Sequence, residues 1–143
     1  MPLDQTSSAG TMNGHTYAID DDGCIYNLSG KIRTVTKTAA YTVLPADSGT
    51  RFDNTGAVGS VTFTLPTASL GAGCEYWFIG AVAAQDIVVA AATSGELVGY
   101  NDLTNASITL ASLPGTAIHV WSNGTKWLSG VALSKIDITI TVA

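Results

Sequence analysis

Apolar and polar residues alternate with a period of two along most of this chain. In "SVTFTLP", Val61, Phe63 and Leu65 fall on one side and Thr62 and Thr64 on the other, the pattern of a half-buried strand. "IRTVTKT" sets Ile32, Thr34 and Thr36 against Arg33, Val35 and Lys37, and "SKIDITITVA" sets Ile136, Ile138 and Ile140 against Asp137, Thr139 and Thr141. Two stretches, "EYWFIGAVA" and "DIVVAAA", are apolar throughout, which predicts strands covered on both faces. The alanine-rich run Ala81–Ala92 also reads as strand, because of its Val-Val pair and flanking glycines. Turn signals recur at intervals of roughly eight to twelve residues, the spacing of a sandwich or barrel. The pattern therefore predicts an all-β fold, a compact antiparallel β-sandwich or barrel of jelly-roll type.

Residues 1–40 read as an N-terminal arm followed by a small β region, with short strands near Tyr17 and Ile19 and over 25–28. Residues 41–143 read as the β-sandwich domain, closed by a C-terminal strand over 134–143. Within it, "HVWSNGTKWLSG" carries an Asn-Gly pair between two apolar runs, the strongest short-range hairpin signal. With Asn123 and Gly124 as a two-residue turn, Val120 faces Trp127 and His119 faces Leu128. Alternation then puts Ile118, Val120 and Trp127 on one face and His119, Trp121, Lys126 and Leu128 on the other. Phe63, Trp77, Val120 and Trp127 are the expected core. His119 and Trp121 are left for a neighbour, and Ile136, Ile138 and Ile140 are candidates for subunit contact. Because Trp121 and Trp127 point apart, the pair does not make a sugar clamp.

Only 12 % of the 143 residues are charged, against about 25 % in ordinary soluble domains. Mean hydropathy is +0.30, yet no run approaches the roughly 18 apolar residues of a membrane-spanning helix. A chain so poor in charge is expected to cover its surface with neighbours, which favours an assembly over a free enzyme. The net charge of −5 and the absence of a basic cluster argue against nucleic acid. "MPLDQTSSAG" shows no secretory pattern, so Cys24 and Cys74 are expected as reduced, packed thiols rather than a disulfide.

Candidate chemistry is thin. Asp20, Asp21 and Asp22 are consecutive, whereas a calcium loop alternates its ligands, so "DDDG" reads as a solvated turn. His15 and His119 stand alone, without the spacing of a zinc site. No nucleophile-elbow motif and no phosphate loop occurs. Neither cofactor, metal nor catalytic residue is expected, and the chain is not read as an enzyme. Trp77, Trp121, Trp127, Tyr41, Tyr76 and Tyr100 could offer stacking surface to a sugar, although core and subunit contact use aromatics more often.

One long segment resembles a known module. Tyr41–Gly80, "YTVLPADSGTRFDNTGAVGSVTFTLPTASLGAGCEYWFIG", is similar to modules of tailed-bacteriophage virion proteins. The matching positions are Tyr41, Val43, Asp47, Ser48, Gly49, Phe52, Asn54, Gly56, Val61 to Pro66 and Tyr76 to Phe78, and the later "NGTKW" also fits. The resemblance spans about residues 38–130 and is shared by fibres, spikes and capsid decoration proteins. It implies an all-β, trimeric virion component without catalytic residues. Length favours a capsid decoration, or cement, protein: a homotrimer bound to the major capsid protein on the head surface, made in the host cytoplasm, with neither nucleic acid nor membrane as partner. The alternative is a tail fibre or spike module that binds a host receptor or glycan.

Overall fold

The computed structural model describes residues 9–12, 15–19, 25–27, 32–99, 102–133 and 141–142, with side chains over 32–99 and 102–130. Two compact units are present, Met1–Ile32 and Arg33–Ala143. In the first, β1 (Ala9–Met12), β2 (His15–Ile19) and β3 (Ile25–Asn27) form an antiparallel sheet in the order β1-β2-β3.

The second unit carries β4 (Thr34–Thr36), β5 (Tyr41–Thr42), β6 (Thr50–Asp53), β7 (Val61–Thr64), β8 (Glu75–Ile79) and β9 (Ile87–Ala90). These are followed by β10 (Leu97–Gly99), β11 (Asp102–Asn105), β12 (Ser107–Leu110), β13 (Ala117–Ser122), β14 (Trp127–Leu133) and β15 (Thr141–Val142). Successive strands from β4 to β10 alternate between two sheets. The larger has the order β11-β10-β14-β13-β8-β6-β4 and the smaller β15-β12-β9-β7-β5. Consequently β4, β6 and β8 lie parallel in one sheet, and β5, β7 and β9 lie parallel in the other.

The expectation of an all-β chain holds, but the antiparallel sandwich or barrel does not: this is a β-solenoid of about 3 turns with mixed sheets. From β4 to β9 each strand ends in an arc that crosses to the opposite sheet, rather than in a hairpin that returns beside the same strand. In the second unit antiparallel pairing enters only later, where β13 lies against β8 and β14, β12 against β9 and β15, and β10 against β11.

Parallel stacking in register lets like residues sit on like. On the inner face of the larger sheet, Val35 pairs with Phe52, Phe52 with Phe78 and Phe78 with Ile118. Phe52 and Phe78 stack, with ring centroids 5.6 Å apart and planes 14° apart. Phe63 of the facing sheet reaches 4.9 Å from Phe78 and 5.3 Å from Phe52. Each buried Phe contributes about 1.5–3 kcal/mol, with a smaller addition from the ring pairs. Val61, Phe63 and Leu65 are all fully buried, as their period of two requires. Ile136, Ile138 and Ile140 lie outside the described residues, as do Asp20, Asp21, Asp22 and Cys24.

Candidate functional site

The alternation that buries one face of β8 and β13 fixes what stands on the other. In β8, Tyr76 and Phe78 are fully buried while Glu75, Trp77 and Ile79 point outward. In β13, Ile118 and Val120 are buried while His119 is half-buried and Trp121 is 37 % exposed. Antiparallel register places Trp77 opposite His119 and Glu75 opposite Trp121. On the flanking strands Arg51 lies beside Trp77, Gly130 beside His119, and Leu128 beside Trp121.

The result is an aromatic row on the outer face of the larger sheet. The His119 ring stacks on Trp77 at 4.7 Å and 13°, and lies 5.2 Å from Trp121 at 32°. Its Nε2 is 2.9 Å from Glu75 Oε2, an ion pair whenever the imidazole is protonated. Held between two indoles and a carboxylate, His119 has a fixed orientation. A Cβ built on Gly130 would come within 2.9 Å of two atoms of the Trp121 six-membered ring. The glycine thus leaves the space this ring fills. Gly130→Ala is expected to displace Trp121 and shift its fluorescence to longer wavelength, at a stability cost below about 1 kcal/mol because the ring end is free to move. An unshifted spectrum would place the indole elsewhere.

Phe63, Val120 and Trp127 are fully buried, and His119 and Trp121 face outward. Trp77, expected in the core, is instead half-buried on the outer face. The uniformly apolar "YWFI" hides the phase of β8, but Glu75 marks it. A carboxylate that must stay wet sits two residues before Trp77, so both share the outer side. The hairpin register also differs from the two-residue turn. Ser122 pairs with Trp127 and Trp121 with Leu128, leaving a four-residue loop. Asn123 Oδ1 accepts the N–H groups of Thr125 and Lys126 at 2.9 and 2.8 Å, and Gly124 takes φ +89°. This side-chain-closed turn occupies two more residues. The shift along β14 is even, so every side chain keeps its predicted face.

The row offers stacking area, one carboxylate and one exposed guanidinium. Among the described residues no group of three or more His, Cys, Asp or Glu is placed to hold a metal, and no helix is long and apolar enough to cross a membrane. Cys74 is half-buried, with Sγ 3.7 Å from the Pro45 carbonyl. No protein-family model and no curated protein matches the chain.

Proposed function

We propose that this chain is a structural protein of a tailed-bacteriophage virion, a capsid decoration protein that docks through the outer face of its larger sheet. The observation that carries the reading is the outward row Trp77–His119–Trp121, a preordered aromatic surface in a chain with few charges. Large, rigid aromatics flanked by an Arg are the usual anchors of protein contacts. The Tyr41–Gly80 resemblance supplies the virion setting. As a homotrimer, the protein would present three such faces at a three-fold junction of capsid subunits, and multivalency would turn weak single contacts into a durable clamp. No catalysis is involved.

The test uses expanded empty shells of the parent phage. Wild-type protein is expected to cosediment with them and to raise their melting temperature. Trp121→Ala, half-exposed and outside the core, should fold normally and bind about thirtyfold more weakly, the loss typical of an anchor residue. Equal binding by the variant would sink the docking face.

One observation favours a second reading, a tail fibre or spike module that binds a glycan. Two tryptophans do share a face, because Trp77 joins Trp121 beside Glu75 and Arg51. Such a module would bind host lipopolysaccharide, lose that binding in Trp121→Ala, and ignore empty shells.

A further inference from the structure

Between Arg33 and Gly49, the first coil of the solenoid, only Val43 and Asp47 are buried. Its strands are short, with three residues in β4 and two in β5. Among the described residues each pairs within its sheet on one side only, β4 with β6 and β5 with β7. Segments with so few buried contacts open first.

Asp47 is the coil's principal polar tie. It ends the 3-10 turn Pro45–Asp47. Its Oδ1 accepts from the Arg33 guanidinium at 2.8 Å, and its Oδ2 accepts from the Tyr41 hydroxyl at 2.9 Å and the Leu44 N–H at 3.0 Å. One carboxylate therefore joins the residue ahead of β4, the first residue of β5 and the turn that follows. Arg33 also reaches Thr50 Oγ1 in β6 at 3.4 Å. The other charged or titratable neighbours are Lys37, 3.7 Å over the Tyr41 ring, and from β8 Tyr76, whose hydroxyl donates to the Leu44 carbonyl at 3.0 Å, with Cys74 beside it. Burial alone would raise the Asp47 pKa, but the Leu44 N–H, Tyr41 and Arg33 together outweigh it and hold the carboxyl below its ordinary value. A depressed pKa means that the stabilisation is complete above the unfolded value, about 3.9, and is lost as pH falls through the folded one.

We propose that residues 33–49 form an exchangeable latch, which can leave the edges of β6 and β7 and be replaced there by the same coil of a second copy. Opening bares two parallel edges and uncovers Phe52, whose ring packs 5.7 Å from Tyr41. An incoming identical coil restores Thr34 opposite Arg51, Val35 opposite Phe52 and Tyr41 opposite Phe63, while the Asp47 contacts to Arg33, Tyr41 and Leu44 lie within the coil, keep it folded and move with it. The closed and exchanged forms therefore have the same bonds and differ in the path taken at Ser48–Gly49, where Gly49 adopts φ +79°. Such exchange is a low-cost route to an oligomer. The inference deepens the assembly reading by naming a second copy as partner, and its test involves no shells, so the two can fail separately.

Thr34 and Arg51 are both exposed and lie directly opposite each other, which makes exchange visible. In a background with Cys24→Ser and Cys74→Ser, copies carrying only Thr34→Cys are mixed with copies carrying only Arg51→Cys and treated with a short bis-maleimide. After a joint pulse to about pH 2, below the range usual for aspartates in folded proteins, and return to neutrality, a cross-linked heterodimer is expected. Adding Asp47→Asn to both should give the heterodimer at pH 7 without the pulse, with exchange of the Val35 and Val43 amides about tenfold faster. A doubly substituted Thr34→Cys, Arg51→Cys chain, never acidified, should cross-link only within itself. Absence of the heterodimer under both conditions, while the double variant closes on itself, would overturn the latch.

Discussion

Trp127→Ala is expected to be the most damaging single substitution in the second unit, costing about 3–5 kcal/mol. The indole is fully buried, its Nε1 donates to the Pro66 carbonyl at 2.8 Å, and its ring lies 5.5 Å from Tyr76. Gly71 sits directly against it, since a Cβ there would come within 2.5 Å of the indole. The side chain therefore joins β14 to the arc between β7 and β8, and truncation leaves both a cavity and an orphaned carbonyl. Folded domains are stable by only about 5–15 kcal/mol, so a large part of the total is at stake. At roughly 4 °C per kcal/mol for a unit of this size, the melting temperature should fall by on the order of 12–20 °C. Trp127→Phe keeps most of the apolar area and loses the hydrogen bond, so it should lose less. Circular dichroism melts of the three proteins provide the check, and a fall of under 4 °C for the alanine variant would remove Trp127 from the core.

That tryptophan's inward position was legible from alternation alone, as were those of Val61, Phe63 and Val120. What alternation cannot show is the partner of each strand. "SVTFTLP" followed by a Gly-rich link reads the same whether the chain folds back beside itself or crosses to a facing sheet, because both need a turn after a short apolar run. The antiparallel sandwich was the commoner solution to that pattern; a solenoid with mixed sheets was the actual one. Trp77 shows the same boundary on a smaller scale. Its strand is apolar on both faces, so its direction rests on Glu75, a single charge whose meaning depends on where β13 pairs. His119 and Trp121 were placed outward correctly by a hairpin whose register was two residues out, since an even shift preserves faces. The pairing of His119 with Glu75, 44 residues apart in sequence, left no local signal at all.

Asn54 is the residue whose role was hardest to read in advance and whose loss should be the next most costly of the polar changes. It follows β6 directly and is fully buried. Its Oδ1 accepts the N–H of Ala81 at 2.7 Å and of Val82 at 3.3 Å, and its Nδ2 donates to the Gln85 carbonyl at 3.4 Å. Ala81–Gln85 lies in the arc between β8 and β9, one coil further along the solenoid. Arcs have no ladder to satisfy their peptide groups, so a side-chain amide from the preceding coil performs that task and fastens one turn to the next. Asn54→Ala removes the acceptor of two backbone donors, with an expected cost of about 1–3 kcal/mol. Thr55→Ala, at the exposed neighbouring position, should stay within about 0.5 kcal/mol of wild type. Urea unfolding measures the difference, and hydrogen exchange localises it: the Ala81 and Val82 amides should lose protection in Asn54→Ala before the β8 amides do. Unchanged protection at both would mean that the arc is held by something other than the Asn54 side chain.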